Sequence, residues 1–371
     1  MSAVALFETL VSVSVQVAVL LLAAEWLHRR TQNPVVHDRL HARAYQLILL
    51  LTGAGLLLPH LRLTVLPALT PLQFQREMVH GISRLSSVLV PVWLAGCGIH
   101  LMRVVFGLWR GSGLIHRATL LPDDRTHDLH QRLEAAGFPA PQPQLRVSPL
   151  VSSPLLWHFH RPVIVLPETM LHFPVEEVEL VLRHEAAHLA ARHPVELFLQ
   201  RVVESVFWFH PSVRRASRRS SASREILCDQ AAVHTSAEAG TYLRTIIRLV
   251  ESRNSTAKTS TPKGTLPVGV DLLSDESLLR ERTRALLRRL EAPAAPNVIP
   301  PAPAVSSTKL LTAATICCGL LLWLPLNPLA SLRSVWSPWP AWSARTLDVI
   351  GMHVRDYEID AHRLTPHRHL H

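Results

Sequence analysis

The sequence is poor in cysteine, and its four cysteines never form a CxxC pair. That excludes a cysteine zinc finger and a disulfide framework. Cys97, Cys317 and Cys318 fall within long uncharged runs, where small apolar packing accounts for them, and Cys228 stands alone in the middle of the chain. Charge is scarce too: 18% of the 371 residues are charged and the mean hydropathy is +0.19, apolar for a soluble enzyme. Residues 1–7 carry no basic side chain, and Arg29 and Arg30 follow the first apolar run instead of preceding it. A signal peptide needs the opposite order. The run therefore reads as a retained anchor with its N-terminus outside.

The uncharged runs are the first feature present in strength. A hydrocarbon core of about 30 Å needs roughly 20 helical residues. Residues 4–25, an almost uninterrupted apolar run broken by Glu8 and Gln16, and residues 85–102 and 309–332 meet that length, and 44–61 is short and relies on its flanks. Arg29, Arg30, Arg39 and Arg43 fill the first loop, Arg103, Arg110 and Arg117 follow the third run, and Lys309 precedes the fourth. Positive residues favour the cytoplasmic side. The expected layout is three spans within residues 1–108, a cytoplasmic segment over 109–308, a fourth span over 309–332 and a short outer tail over 333–371. No ionisable pair lies inside the four runs, which excludes a transporter.

The net charge of +10 and the isoelectric point near 10.4 raise the question of nucleic acid. The sharpest basic stretch, RRASRRSSASR at 214–224, has no interleaved aromatics and no DNA-binding motif around it. A patch facing anionic lipid or water is the simpler account, so no direct nucleic-acid partner is expected.

Within the cytoplasmic segment, DDRTHDLHQRLEAAG reads as a short helix ended by Gly137. LRVSP and the β-branched run Val163, Ile164, Val165, Leu166 read as strands. FPVEEVELVLRHEAAHLAARH has Pro174 at a helix start and acidic residues in the first turns, with apolar positions at helical spacing. VELFLQRVVESVFWFHP, SASREILCDQAAVH, TYLRTIIRLVES and DESLLRERTRALLRRLEA read as further helices, and Pro-rich connectors flank the segment. The fold class expected is mainly α: a four-span integral membrane protein with an α+β cytoplasmic domain.

The chemistry lies in LVLRHEAAHLAARHP. Residues four apart share a helix face, so His184 and His188 can present two imidazole nitrogens to one metal. Glu185 then stands where its carboxylate can act as general base on a metal-bound water. A catalytic zinc takes three protein ligands and an open position. The extended HExxHxxGxxH pattern is excluded, because Ala191 and Pro194 occupy its glycine and last histidine positions. His193, five residues past His188, is expected to point off the metal face. Glu196, Glu204, Glu225 and Asp229 remain as third ligands. Glu225 with Asp229 one turn later places a ligand and a carboxylate for orienting a ligand histidine on one face, which favours Glu225 as ligand and Asp229 as the orienting group.

The wider pattern resembles the BlaR/MecR-type membrane metallopeptidases. The resemblance rests on SPLVSSPLLWHFHRPVIVLPE, VLRHEAAHLAARHPVE, VFWFHPSVRRASR and REILCDQAAV, on three spans before the peptidase and one after, and on LLRERTRALL downstream. It covers about residues 1–330, most specifically 145–235. It implies a gluzincin fold, one zinc ion on His184, His188 and Glu225, catalysis by Glu185, and a bacterial inner-membrane location with peptidase inside and C-terminus outside. It also implies a protein substrate, such as a transcriptional repressor or the protein itself, and leaves homo-oligomer formation open. Two departures stand out: WHFH at 157–160, where a glycine and less bulk are expected, and His210 in place of a usual asparagine. The β-lactam sensors of the family carry an outer penicillin-binding domain; about 39 residues follow Leu332 here, so β-lactam sensing is not implied.

Four further expectations follow. Val163, Ile164, Val165 and Leu166 would be an edge strand holding substrate in extended form. Tyr242 or His210 would stabilise the transition state. The polar stretch ESRNSTAKTSTPKG, 251–264, would be an unstructured self-cleavage segment. In the tail, Trp336, Trp339 and Trp342 suit an interfacial belt, and His353, His362, His367, His369 and His371 suit a disordered end. Two other readings compete: a peptidase for damaged membrane proteins, opposed by the arrangement of spans, and a zinc-binding scaffold that no longer cleaves, opposed by the intact Glu185.

Overall fold

The computed structural model describes residues 3–31, 33–59, 72–138, 142–157, 161–259, 276–291 and 341–352. The described chain is mainly helical with one small sheet. The first apolar run becomes α1 (Ala3–Arg30). The second helix, α2 (Pro34–Leu57), starts well ahead of its uncharged run. Asn33 caps it by accepting from the Val35 amide, and Pro34 occupies a position where no amide hydrogen is needed. That early start brings Asp38 and His41 into the first turns of α2, and both are buried. The third helix, α3 (Leu72–Arg117), has 46 residues and extends far beyond the expected span on both sides.

These three helices are long and apolar enough to cross a membrane. They are not equivalent: about half of the most apolar windows of α1 and α2 is buried against protein, but only 11% of that of α3. α3 turns Val92, Met102, Val105, Phe106 and Trp109 outward. Two glycines let α3 dock on the rest of the chain. A Cβ at Gly96 would lie 2.3 Å from the Trp208 ring, and one at Gly111 would lie 2.8 Å from Trp157. The bulk of Trp157, unexpected from the sequence pattern, is accommodated by the missing side chain on α3. Trp93 Nε1 donates to the Val206 carbonyl at 2.8 Å and fastens the same contact.

The sheet contains β1 (Thr119–Leu120), β2 (Gln144–Ser148), β3 (Leu155–Trp157) and β4 (Val163–Pro167), in the order β1-β2-β4-β3. β4 runs parallel to β2 and antiparallel to β3. The run Val163, Ile164, Val165, Leu166 is therefore not an edge strand. Successive side chains alternate between faces, and both faces are covered. Ile164 and Leu166 pack under the helices, whereas Val163 and Val165 pack against Ile115 and Trp157. A continuous β-branched run is what a strand covered on both faces needs. The free edge beside β4 belongs to β3.

Between β1 and β2 lies α4 (Asp123–Ala135), and Gly137 closes it with a φ of +90°. A short 3-10 turn, Glu168–His172, leads into α5 (Val175–Ala190), then come α6 (His193–Val206), α7 (Pro211–Ala232), α8 (Ser236–Thr259), α9 (Glu276–Glu291) and α10 (Ala341–Val349). α8 continues through 251–259, so the first part of the expected self-cleavage segment is helix, and 260–264 lies outside the described residues. The fourth span over 309–332, Trp336, Trp339 and the five tail histidines also lie outside them.

α7 ties the two parts of the fold together. Its 22 residues extend about 33 Å. Val213 and Ala216 near its start belong to one core with Val17, Leu20, Tyr45 and Ile48 of α1 and α2. Cys228 and Ala232 near its end belong to the cores beneath the sheet and against α8 and α9. The serines of the basic run, Ser217, Ser220, Ser221 and Ser223, are buried, and small side chains allow close helix approach. The run is thus not simply a solvated patch. Arg224 is buried and donates to Gln200 and Ser220, Arg219 pairs with Glu25 of α1, and Arg214 donates to the Trp208 carbonyl.

Candidate metal centre

The helical repeat places His184 and His188 of α5 on one face, and α7 packs across that face. Glu225 of α7 completes a triangle: His184 Nε2 lies 3.2 Å from His188 Nε2 and 3.5 Å from Glu225 Oε2, and His188 Nε2 lies 3.6 Å from Glu225 Oε1. A tetrahedral zinc with ligand bonds of about 2.0–2.1 Å would separate its donor atoms by about 3.3 Å. The donor set and its spacing fit such an ion. Glu204 and Glu196, also considered as ligands, lie outside this triangle. Glu204 accepts from Gln200, Arg201 and Ser217, and Glu196 sits beside Asp38 and His193.

The outer faces of both histidines are also held. His184 Nδ1 lies 3.1 Å from Asp229 Oδ1, and the Tyr242 hydroxyl donates to the same oxygen at 2.7 Å. Tyr242 Oη is also 2.9 Å from His184 Nδ1. Tyr242, read from the sequence as a stabiliser of developing charge, is thus committed to the ligand histidine and its carboxylate. His210, the other candidate, turns its Nε2 to the Ser14 carbonyl of α1 at 3.2 Å and does not join the cluster.

Two residues in the cluster carried no role in the sequence reading. Arg282 of α9 is buried and grips Asp229 with two nitrogens, at 2.7 and 2.6 Å, while a third nitrogen lies 3.2 Å from Glu225 Oε2. A fork of this kind fixes the orientation of a carboxylate as well as neutralising it. The stretch LLRERTRALL reads as a charged helix and as part of the family resemblance, and its periodicity does not say which arginine turns inward. His193 is the second. α5 ends at Ala190, Arg192 adopts the left-handed conformation with φ 59°, and α6 starts at His193 with Pro194 in its first turn. The chain therefore reverses, and His193 Nδ1 comes within 2.8 Å of His188 Nδ1. The expectation that His193 points away assumed a continuous helix.

Charge follows from these contacts. Burial pulls His184 toward neutrality, but its hydrogen bonds to Asp229 and Glu225 outweigh this and raise its pKa to about 10. Burial and nearby cations hold His188 well below the usual imidazole value despite the Glu225 charge. Burial pushes the Glu185 carboxyl up to about 7, with Glu225 adding to it and His184 and Arg282 opposing. Burial works against ionisation of Glu225 and Asp229, yet Arg282 and His184 hold both below the ordinary carboxylate range. The triangle is therefore preset with an ionised carboxylate and one neutral imidazole.

The combination of apolar helices, a small sheet and a buried HExxH helix closed by a distant carboxylate is that of a membrane protein built around a peptidase-type site. The chain belongs to the BlaR1 peptidase M56 family, whose model matches residues 72–282, from the start of α3 to Arg282. It is also similar to the regulatory protein BlaR1 of Bacillus licheniformis, with 33% identity over 88 residues, covering 24% of this chain and 15% of that protein.

Proposed function

We propose that this protein is a membrane-bound zinc metalloendopeptidase that acts in signal transduction. The observation that carries the reading is the convergence of His184, His188 and Glu225 at the spacing one zinc ion requires, with a half-buried carboxylate, Glu185, on the same helix. A bound zinc would supply Lewis-acid polarisation of a peptide carbonyl and acidify a water. His184, His188 and Glu225 would hold that ion and, as three protein ligands, would leave a position for water or substrate. Glu185, with a pKa near 7, can accept a proton from the attacking water and return it to the leaving amine. Asp229, itself fixed by Tyr242 and Arg282, holds the Nδ1 hydrogen of His184, so the proton that a metal would displace is the one on Nε2.

An extended substrate would pair with the main chain of β3 (Leu155–Trp157), the outer strand next to β4. In the topology favoured by the basic loops, the N-terminus is outside, the peptidase is cytoplasmic, residues 309–332 form a fourth span and residues 333–371 lie outside. The substrate would be a cytoplasmic transcriptional repressor, or the protein itself within the 260–264 stretch. The regulatory title of the Bacillus relative supports a signalling role over general removal of damaged membrane proteins.

The test is to measure zinc per chain in the purified full-length protein and to follow self-cleavage in membranes. One zinc per chain, lost in Glu225→Gln, and self-cleavage abolished in Glu185→Gln with zinc retained are expected. Undiminished cleavage in Glu185→Gln would overturn the mechanism.

A further inference from the structure

His188 reaches beyond the metal cluster to a group on a membrane helix. Its Nδ1 lies 2.8 Å from His193 Nδ1, and His193 Nε2 lies 3.3 Å from Asp38 Oδ2 in the first turns of α2. Asp38 and His193 are 4% and 3% exposed, so neither contact is a surface accident. Asp38 lies outside the residues matched by the family.

One arrangement of protons satisfies every contact when both rings are neutral. A metal on His188 Nε2 leaves its Nδ1 carrying hydrogen, which donates to His193 Nδ1. The hydrogen of His193 is then on Nε2 and donates to the Asp38 carboxylate. The Cys228 thiol lies 3.5 Å from His193 Nδ1, the longer of the two contacts to that nitrogen, whose one lone pair the His188 hydrogen occupies. Burial keeps that thiol protonated.

We infer that Asp38, acting through His193, is a positioning residue for the metal ligand His188, so that the second apolar helix completes the metal centre. Metal-ligating histidines depend on such outer partners, and their loss typically weakens metal binding about 10–100-fold. A competing use of the same groups is a second cation site, since donor atoms of Asp38, His193 and Glu196 lie within 4.8 Å of one another. Among the described residues, Asp38 Oδ1 and Glu196 Oε2 have no hydrogen-bond partner. A cation on His193 Nε2 would, however, force the ring hydrogen onto Nδ1, facing the Nδ1 hydrogen of His188 at 2.8 Å. The relay and a second cation therefore exclude each other while His188 holds a metal.

This inference rests on the proposed zinc site and is separable from it. The full-length protein in detergent is stripped of metal and titrated with zinc against a chelator, and the Co2+ form is examined by its ligand-field absorption. Wild type is compared with Glu225→Gln, Asp38→Asn, Asp38→Glu, His193→Gln and the Asp38→Asn/His193→Gln pair. We expect Asp38→Asn to weaken zinc about 10-fold and to shift the Co2+ bands at saturating metal, with Asp38→Glu recovering most of both. We also expect Asp38→Asn to add nothing once His193 is Gln, because the two act in series. Wild-type affinity and bands in Asp38→Asn, with binding lost in Glu225→Gln, would overturn this inference alone. Multiplying effects in the double variant, or a lowered unfolding temperature of the metal-free protein with unchanged Co2+ bands, would also overturn it. So would two ions per chain with one lost in Glu196→Gln. Absence of zinc binding in wild type would overturn both readings.

Discussion

The two histidines of the HExxH helix are supported from opposite sides of the molecule, and the supports differ in kind. His184 is held by residues of α7, α8 and α9: Asp229, Tyr242 and, behind them, Arg282. That side is densely paired, with a buried arginine fork on the carboxylate. His188 is held through one imidazole to a carboxylate on an apolar helix. That side is sparsely paired, for neither buried nitrogen of His41 has a hydrogen-bond partner among the described residues. The difference teaches that half of the centre is preset by the peptidase fold, whereas the other half depends on how α2 sits against α6.

The largest effect should come from Glu185, which belongs to neither support. Glu185→Gln removes the proposed general base, and cleavage rates should fall at least about 10²–10⁴-fold with zinc content unchanged. Retained cleavage, measured on the purified protein, would mean that neither side serves a hydrolytic centre. Next is the densely paired side. Arg282→Ala leaves two carboxylates, the buried Asp229 and the partly buried Glu225, with His184 as their shared cation, and stability should drop about 3–5 kcal/mol in denaturant unfolding. A loss under about 1 kcal/mol would show that the fork is not what holds the peptidase side.

Asp229→Asn tests the same side at the ligand itself. It should weaken zinc about 10–100-fold in chelator competition, and at least as much as Asp38→Asn, because Asp229 touches its ligand histidine directly. The reverse order would make the membrane side dominant. Protons sharpen the comparison further. His184 carries a proton near neutral pH in the metal-free protein because its folded pKa is about 10, whereas His188 does not. Zinc must displace that proton, so affinity should rise as pH rises toward about 10, with close to one proton released per ion near pH 8. Calorimetry in buffers of different ionisation enthalpy reads the number, and no release would mean that the His184 contacts are weaker than the structure shows. The smallest effect expected is that of Tyr242→Phe, which removes one of several bonds to Asp229. It should change zinc binding by about 1 kcal/mol, roughly five-fold.

Much of the site was legible because its signals are local. The four-residue spacing of His184 and His188, and of Glu225 and Asp229, follows from the helical repeat alone. The strand at 163–167 showed in its β-branched run, and three long apolar helices showed in their lack of charge. What escaped was set at a distance. β4 lost its edge position because β3, only three residues long, gives little periodic signal. His193 turned back to His188 Nδ1 because Arg192 adopts a left-handed conformation that spacing cannot reveal in a non-glycine residue.

By itself, then, the sequence determined the helix that carries HExxH, the apolar runs and the candidate donors, since each depends on periodicity or composition within one segment. Only the tertiary structure decided which arginine meets Asp229, that α7 links two cores, and that Asp38 reaches His193 across 155 residues. Those pairings arise where helices pack, and a buried charge finds its partner through the fold rather than through its neighbours in the chain.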